Sequence, residues 1–378
     1  MKIAIASSGL GHVRRGIESW ANDLGLALHR SGADVTLFQG APSGNEPCRR
    51  VMACCRRDER PVVHIRAVTK HLSGWRYGCG SEYDVEQTTF AFSLWRRIRK
   101  DYDILHVQDP ILALHLDRLH REGWSRPRVI LAHGTEEEDS FLQKFSYLQH
   151  LAPCYQEVWQ SRKPPGQLSF AVPNFVNTGI FQPGDRTRAR SLWNLPQNAL
   201  IVLSVAALKK THKRCDYLIG EFADFQKSYG GPAMLLMAGG RDKEAPEVAE
   251  LGKTLGNSLR MLQSVEREKL SSLYQAADIF AIASLHEMMP IAVLEALASK
   301  LPVTCNRTPT LEWMAGRGGA PEDISAPGGL VRQWTRLADP KVRAAMSSEA
   351  RSQAETTFSE PVVLKQVQNM YQSVMANE

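Results

Sequence analysis

The sequence predicts an α/β protein built of two doubly wound domains. Short apolar segments of strand length alternate with longer segments that carry apolar residues at helical spacing, and this alternation occurs twice along the chain. The polar stretch Gln182–Arg188 separates the two series and indicates a linker. At 378 residues and 43% hydrophobic composition, the chain is long enough to bury two cores.

The first series predicts a parallel sheet with helical crossovers. Its strands are expected at Lys2–Ser7, Asp34–Gln39, Val62–Val68, Ile104–Gln108 and Arg128–His133. Helices are expected after Gly11 through Leu28 and over Leu112–Glu122.

The second series repeats the pattern. Its strands are expected at Ala199–Ala206, Ala233–Ala238, Arg260–Leu262, Ile279–Ala283 and Pro302–Cys305, and its helices at Arg214–Ser228, Ala245–Leu255, Glu268–Ala276 and Pro290–Ser299. We therefore predict an N-terminal domain over 1–182, a C-terminal domain over 183–360, and a last helix within 361–378 that crosses back to the first domain. The carboxyl ends of the two sheets are expected to face each other across a cleft, where such folds bind ligands.

Composition argues against several classes of protein. The apolar run at the N-terminus is too short for a signal peptide, and the longest apolar runs, such as Ala199–Leu208, are too short to cross a bilayer. The seven cysteines are odd in number and lack metal-ligand spacing, which is typical of reduced thiols. We expect a cytoplasmic protein.

The net charge of +6 is unevenly distributed, because residues 1–100 carry sixteen Lys and Arg against nine Asp and Glu. One basic cluster, Arg96–Lys100, follows Phe90, Phe92, Leu94 and Trp95. Such a segment is compatible with peripheral contact at the inner membrane face, or with an ordinary helix that has a solvated face. Nucleic acid is not expected as a partner, since no binding module is recognisable.

The segment Ser284–Val303 is the most informative part of the chain. Glu295 is the only charged residue between Met288 and Ser299, in a segment of buried-helix character, so its carboxylate needs a partner. That partner is either a cation elsewhere in the chain or a ligand hydroxyl. Glu287 precedes Pro290, which suits a first helical position, and the helix N-terminus favours a phosphate.

Several segments together resemble the retaining glycosyltransferases of family 4, which have the GT-B architecture. Glu287 and Glu295 match that family's Glu-x7-Glu motif, and Val172–Asp185, Val205–Ile219, Leu273–Phe280 and Asn306–Glu312 are similar to other segments of it. The resemblance is dense from Val172 to about Leu330 and looser upstream. It implies a GT-B fold of two Rossmann-like domains and a nucleotide-sugar as co-substrate, with no cofactor and no metal.

The resemblance also implies roles for residues of the second domain. Glu295 would accept hydrogen bonds from ribose hydroxyls, Glu287 would face the donor sugar, and Lys213 would bind the leaving diphosphate. The family's Arg in the same loop falls at Ala207, so Lys209 or Lys210 is expected to supply the missing charge. The backbone N–H groups of Met288 and Met289 stand where the family usually has a glycine-containing loop.

In the first domain, the resemblance implies that His133 contacts the donor sugar near its reacting carbon. Gly9 and Gly11 either let the backbone approach a diphosphate or form a tight turn without a ligand. Arg14 stands where a dinucleotide fingerprint needs its third glycine, so an NAD enzyme is not expected. His106 also lies near the end of a strand, where it has either a role in the site or a packing role.

These observations predict a hexosyltransferase-like enzyme that moves a sugar, with retention, from a nucleoside-diphosphate sugar to an acceptor. The alternatives are a GT-B nucleotide-sugar epimerase and a non-catalytic nucleotide-sugar-binding protein. The sequence does not identify the nucleotide base, the donor sugar, the acceptor (glycan, lipid or small molecule) or the oligomeric state. Nor does it decide between Lys209 and Lys210.

Overall fold

The computed structural model describes residues 1–13, 15–69, 78–240 and 242–377, so Arg14 lies outside the described residues. The chain divides into two compact units. Unit 1 comprises Met1–Pro173 and Leu364–Glu378, and unit 2 comprises Asn174–Val363. The polar stretch Gln182–Arg188 therefore lies within unit 2, and its last residues begin a helix that Asp185 caps through a hydrogen bond from the Arg188 N–H, 3.1 Å.

Unit 1 is a parallel sheet with helices between its strands. The strands are β1 (Ile3–Ser7), β2 (Val35–Gln39), β3 (Arg49–Val51), β4 (Ile104–Val107), β5 (Arg128–His133), β6 (Tyr147–His150) and β7 (Leu168–Ala171). The helices are α1 (Gly16–Arg30), α2 (Arg60–Thr69), α3 (Glu82–Ile98), α4 (Pro110–Arg121), α5 (Asp139–Leu142) and α6 (Pro153–Gln160). The strand order is β3-β2-β1-β4-β5-β6-β7.

The central strands of unit 1 are buried on both faces, as their continuous apolar runs require. Phe38, Phe90, Leu105 and Leu131 belong to one core cluster between the sheet and its helices. The order of strands reverses between β1 and β4, so the loops after these strands leave the sheet next to each other at its carboxyl edge.

Unit 2 repeats the architecture with a five-stranded parallel sheet. Its strands are β8 (Leu200–Val205), β9 (Ala233–Gly239), β10 (Leu259–Gln263), β11 (Ile279–Ala281) and β12 (Val303–Thr304), in the order β10-β9-β8-β11-β12. Its helices are α7 (Arg186–Leu192), α8 (Cys215–Tyr229), α9 (Ala245–Gly252), α10 (Arg267–Ala276), α11 (Ile291–Ala298), α12 (Pro309–Ala315), α13 (Gly329–Ala338) and α14 (Pro340–Thr357). Short 3₁₀ helices cover Lys253–Ser258 and Gly316–Gly318. Phe222, Phe225 and Trp334 are fully buried in its core, with edge-to-face ring contacts of 5.8–5.9 Å to Trp334.

The last helix, α15 (Glu360–Ala376), begins in unit 2 and ends in unit 1. Its Tyr371 is fully buried in unit 1, where the phenol lies 2.8 Å from Nδ1 of His106. The carbonyl of Val374 accepts a hydrogen bond from the guanidinium of Arg128. His106 therefore has a packing role.

The structure differs from the predicted elements at a few positions. The strand predicted at Val62–Val68 is wrong, because these residues lie in helix α2. Val62 is buried, but Val63 and Val68 are exposed, so these β-branched residues do not pack as in a buried strand. Pro290 is the residue before α11 rather than its first residue. Among the described residues, no helix is both long and apolar enough to span a membrane.

Candidate functional site

The strand order of unit 2 reverses between β8 and β11, and this places two loops side by side. β8 and β11 are hydrogen-bonded neighbours, and the loops that follow them, 206–214 and 282–290, leave the same carboxyl edge of the sheet. In doubly wound folds the crevice at such a reversal is where ligands bind. The first loop carries the lysines singled out from the sequence, and the second carries Glu287, Met288 and Met289.

Lys213 and Glu287 join these two loops through an ion pair between Nζ and Oε1. Their side chains are 19% and 10% exposed, so the pair is only partly solvated. The cation predicted to bind a diphosphate is thus held by the carboxylate predicted to face the sugar. An incoming diphosphate would compete with Glu287 for the same ammonium group.

The backbone of the β8 loop is constrained on both sides of Lys213. His212 and Arg214 have φ values of 66° and 48°, in the left-handed region that non-glycine residues seldom adopt. The carboxylate of Glu244 accepts hydrogen bonds from the N–H groups of Lys210 and Thr211, at 2.8 and 3.0 Å. Such backbone strain is common at functional sites.

Lys210 and Lys209 lie on the same loop but differ from Lys213 in their surroundings. The Lys210 ammonium pairs with Glu247 of α9, and both side chains are exposed. Lys209 is half-buried, and its N–H donates to the Ala207 carbonyl at 2.9 Å. Lys210 therefore forms an ion pair at the surface, whereas Lys213 forms one with the loop that follows β11.

Glu295 is 5% exposed on α11, and its carboxylate accepts a hydrogen bond of 2.7 Å from the Tyr274 hydroxyl. Burial raises the pKa of Tyr274 well above its usual value, so the phenol keeps its proton and can donate it in the hydrogen bond to Glu295. The sequence offered a cation or a ligand hydroxyl as the partner of Glu295, and the structure provides a tyrosine hydroxyl.

The loop of Met288 and Met289 is anchored from the start of unit 2. Met289 is buried, and its sulfur and carbonyl oxygen accept hydrogen bonds from the backbone N–H and the side-chain amide of Asn174, at 3.1 and 3.2 Å. Ser284, three residues after β11, is fully buried, and its hydroxyl has no hydrogen-bond partner among the described residues. Ser284 and Asn174 lie in segments that the sequence singled out, but no role was predicted for either residue.

Packing inside unit 1 explains why positions 9 and 11 are glycines. A Cβ on Gly9 would lie 2.3 Å from Oε1 of Glu18, and one on Gly11 would lie 2.1 Å from the carbonyl oxygen of Ala41. Gly11 also has φ 103°, which a side chain disfavours. These contacts fit the tight-turn interpretation, and contact of the two glycines with a diphosphate stays a prediction.

A buried charged network, which the sequence did not reveal, surrounds that turn. Glu86 of α3 is fully buried and accepts hydrogen bonds from the Arg57 guanidinium, at 2.5 and 3.1 Å. Burial raises the pKa of Glu86, but hydrogen bonds from Arg57 and His12 outweigh it and lower the value to about 2. The network continues through Ser8 to Asp109, whose pKa burial raises to about 6.

His133 ends β5, as predicted, and His150 lies beside it at the end of β6. The two rings meet edge to face with centroids 5.8 Å apart. Burial lowers the pKa of His133 to about 4 and that of His150 to about 3, so both rings are neutral near pH 7. Within the described residues neither nitrogen of His150 has a hydrogen-bond partner, and the same holds for the amide nitrogen of Gln108 after β4. Polar groups without partners thus end three adjacent strands.

Among the described residues, no group of three or more His, Cys, Asp or Glu is arranged to hold a metal ion.

Family comparison identifies the class of protein that this fold and site belong to. Residues 14–165 match the model of Glycosyltransferase Family 4, and residues 185–353 match that of Glycosyl transferases group 1. Together these models span most of both units. The chain belongs to the group 1 glycosyltransferases.

Among curated relatives, the chain is similar to a D-inositol 3-phosphate glycosyltransferase of Acidothermus cellulolyticus. The two are 29% identical over 184 residues, which is 46% of this chain and 41% of the relative. Other relatives with the same description match over 45–47% of their own length. The chain therefore spans less than half the length of the curated relatives it matches.

Solved structures confirm the GT-B fold. The chain resembles a sucrose-phosphate synthase from Thermosynechococcus elongatus with a TM-score of 0.80 and 17% identity, over 100% of both chains. It also resembles the Anabaena protein Alr3699/HepE, solved in complex with UDP-glucose, with a TM-score of 0.71 and 13% identity over 99% of this chain and 100% of that one.

Proposed function

We propose that this protein transfers a sugar, with retention of anomeric configuration, from a nucleoside-diphosphate sugar to a hydroxyl group of an acceptor. The observation that carries the proposal is the Lys213–Glu287 pair at the strand reversal of unit 2. Membership of the group 1 glycosyltransferases supports sugar transfer as the reaction. A neighbour of the same fold, Alr3699/HepE, was solved with UDP-glucose, which supports the class of donor.

Unit 2 would bind the donor through four groups. The ammonium of Lys213 would bind the diphosphate, and the N-terminus of α11 would add backbone N–H groups and the positive end of its dipole. Glu295 would accept hydrogen bonds from ribose hydroxyls. Glu287, released from Lys213, would accept hydrogen bonds from the donor sugar.

The reaction would break the bond between the anomeric carbon and the diphosphate oxygen and form one to the acceptor oxygen. Retention would follow from attack on the face that the diphosphate leaves, with the acceptor proton passing to the departing phosphate oxygen. Lys213 would stabilise the negative charge that develops on the diphosphate, and such preorganised charge is usually the largest catalytic contribution. The presence of both Glu287 and Glu295 and of Lys213 favours an enzyme over a non-catalytic binding protein.

Unit 1 would bind the acceptor. The relatives are described as acting on D-inositol 3-phosphate, and this chain would share with them a hydroxylated acceptor. Gln108, His133 and His150 offer neutral donors and acceptors suited to hydroxyl groups. The contact of His133 with the donor sugar remains part of the same proposal.

The experiment that tests the donor site is a thermal-shift titration with UDP, GDP, ADP and TDP and their common sugar conjugates. A ligand that binds the folded state raises the midpoint by an amount that grows with its concentration over its dissociation constant. We expect one diphosphate to shift the wild type and Lys210→Ala equally, and to lose its effect in Lys213→Ala. No shift with any nucleotide, or equal shifts in both variants, would contradict the site.

Product analysis separates the reaction from the alternatives. Transfer predicts a glycosylated product that requires an acceptor and keeps the anomeric configuration of the donor. An epimerised sugar nucleotide formed without acceptor would indicate the epimerase instead. Nucleotide binding with neither product, across a broad panel of acceptors, would indicate the non-catalytic nucleotide-sugar-binding protein.

A further inference from the structure

The outward face of α3 carries a cluster of aromatic and basic side chains. We call it the α3 patch and define it as Phe92, Trp95, Arg96, Arg97, Arg99, Lys100 and Trp124. Phe92 is 62% exposed and Trp124 is 64% exposed, which is unusual for side chains of this size. The opposite face of the same helix, with Phe90, Leu94 and Ile98, is completely buried in the unit 1 core. The exposed rings are therefore not part of the core.

Direct contacts make the patch one continuous surface. The rings of Phe92 and Trp95 lie 6.2 Å apart between centroids, and the guanidinium of Arg99 lies 4.9 Å from the Trp95 ring centroid. The guanidinium of Arg96 lies 5.9 Å from the Phe92 ring centroid. The indole N–H of Trp95 donates to the carbonyl of Trp124 at 3.2 Å, which brings the loop after α4 into the same surface.

The positive charge of the patch is not neutralised by the protein. In the described part of the chain, no ion pair involves its four basic residues, Arg96, Arg97, Arg99 and Lys100. Nearby basic residues differ, because Arg118 pairs with Glu122, Arg121 with Asp117 and Arg126 with Asp103. The acidic groups of this region are thus committed to other cations, apart from the exposed Asp101. The patch offers unpaired cations beside exposed rings.

We propose that the α3 patch docks the protein on an anionic phospholipid surface. Arg96, Arg97, Arg99 and Lys100 contact headgroup phosphates, and Phe92 and Trp124 enter the interface between headgroups and acyl chains. Aromatic rings prefer this interface, and basic side chains beside them add attraction to anionic lipid that falls off within a Debye length. The docking is peripheral and reversible, because a single helix face supplies it.

A bilayer fits these observations better than a nucleic acid does. The exposed large hydrophobic residues of the patch are Phe92 on α3 and Trp124 in the loop after α4, and insertion into an interface removes both rings from water. A double-stranded nucleic acid would contact the cations along its phosphate backbone and leave Phe92 without a role. The proposal does not depend on the donor site, which lies in unit 2.

Vesicle cosedimentation of the full chain tests the proposal. The wild type is expected to sediment with vesicles of phosphatidylcholine and phosphatidylglycerol, to stay in solution with phosphatidylcholine alone, and to be released by high salt. Arg96→Gln/Arg97→Gln/Arg99→Gln is expected to weaken vesicle binding at least tenfold. Phe92→Ser/Trp124→Ser is expected to weaken it as much while the basic residues remain, which a purely electrostatic contact would not produce.

A matched control removes the same charge elsewhere. Arg188→Gln/Arg317→Gln/Arg336→Gln changes three exposed arginines of unit 2 and is expected to bind vesicles like the wild type. Circular dichroism and the thermal midpoint check that each variant is folded. Three results would overturn the proposal: no binding of the wild type to anionic vesicles, equal losses in the patch and control triples, or full binding by the aromatic double variant. Loss of oligonucleotide binding in the patch triple, without vesicle binding, would assign the surface to nucleic acid.

Discussion

The ammonium of Lys213 is paired with the carboxylate of Glu287 across two loops that are 74 residues apart in the chain. The pair exists because the sheet of unit 2 reverses its strand order between β8 and β11. Both groups belong to the proposed donor site, where a diphosphate would compete with Glu287 for the Lys213 ammonium. Substitution of Glu287 is therefore expected to strengthen nucleotide binding and to slow sugar transfer.

Glu287→Gln is expected to bind a nucleoside diphosphate more tightly, because the substitution removes the competing carboxylate from Lys213. The gain should be about two- to fivefold, as a partly exposed ion pair contributes up to about 1 kcal/mol. Sugar transfer should fall by about a hundredfold, since the same carboxylate faces the donor sugar. Calorimetric titration and initial rates measure the two effects. Weaker nucleotide binding in this variant would show that Glu287 positions Lys213 rather than competing for it.

Glu295→Gln is expected to weaken binding of a nucleoside diphosphate by about tenfold, which is about 1.4 kcal/mol. Binding of inorganic pyrophosphate should stay unchanged, because the proposed role of Glu295 is toward ribose. Competition titrations with the two ligands provide the measurement. Equal losses for both ligands would mean that Glu295 acts through the fold of α11.

Tyr274→Phe is the companion variant for stability. It removes a buried hydroxyl that donates to Glu295 at 2.7 Å, and should lower the free energy of unfolding by about 1–3 kcal/mol. Urea denaturation measures the change. An unchanged free energy would indicate that another group replaces the tyrosine at Glu295.

Gly11→Ala is expected to destabilise the protein by more than about 2 kcal/mol, because the new Cβ would meet the Ala41 backbone and the φ of 103° disfavours a side chain. Gly16→Ala is the matched control, since a Cβ at Gly16 meets nothing within 4 Å. It should be neutral or slightly stabilising. Urea denaturation compares the two. If folded Gly11→Ala binds the nucleotide normally, the glycine serves only the turn. A higher dissociation constant for the nucleotide would support the predicted contact of Gly11 with the diphosphate.

Acid should destabilise unit 1 below about pH 6.5. Burial lowers the pKa values of His106 and His150 to about 3 and that of His133 to about 4, from an ordinary 6.5. Between these values the unfolded chain binds protons that the folded chain does not, so the free energy of unfolding falls as pH falls. Asp109 acts in the opposite direction, because its pKa of about 6 lies above the ordinary 3.8 and the folded state gains its proton first. Burial also lowers the pKa of His115 and raises that of Asp117, so four histidines act against two aspartates and leave a net loss.

His150→Phe tests this origin. The pH dependence of the free energy of unfolding between pH 6.5 and 4 should become less steep by up to one proton, and stability at pH 7 should be unchanged or higher, since a buried ring without partners is replaced by an apolar one. Denaturation across that pH range is the measurement. An unchanged slope would show that His150 binds its proton equally in the folded and unfolded states. Reduced transfer in a fully stable variant would support its proposed contact with the acceptor.

The regular elements around the site were predictable because local pattern determines them. Strand β5 was predicted with the bounds Arg128–His133 that the structure has, and the predicted Ile279–Ala283 contains β11. Helix α2 was missed, since β-branched residues favour a strand locally and only its packing along α3 selects a helix. The short strand β3 is three residues long and carries two arginines, so it has no apolar pattern to recognise.

The partners of the site residues were less accessible to sequence reasoning. Glu287 and Glu295 were identified through a family motif, but their partners Lys213 and Tyr274 lie 74 and 21 residues away. The bond between Arg57 and Glu86 likewise joins residues far apart in the chain. Spacing along a chain carries no information about such contacts until the strand order is known. The sequence predicted the aromatic and basic composition of the α3 patch, but it did not show which of the rings are exposed.

The path of helix α15 has a consequence for the synthesis of this protein. Tyr371 and Val374 complete unit 1, whose other residues end at Pro173. The ribosome must therefore synthesise the chain as far as Tyr371 before unit 1 can bury the ring that contacts His106. Unit 2 is continuous in sequence, so it can finish folding earlier than the unit that precedes it. The N-terminal half made alone would lack part of its own core, and nascent chains stalled before Tyr371 should remain sensitive to protease in the first 173 residues.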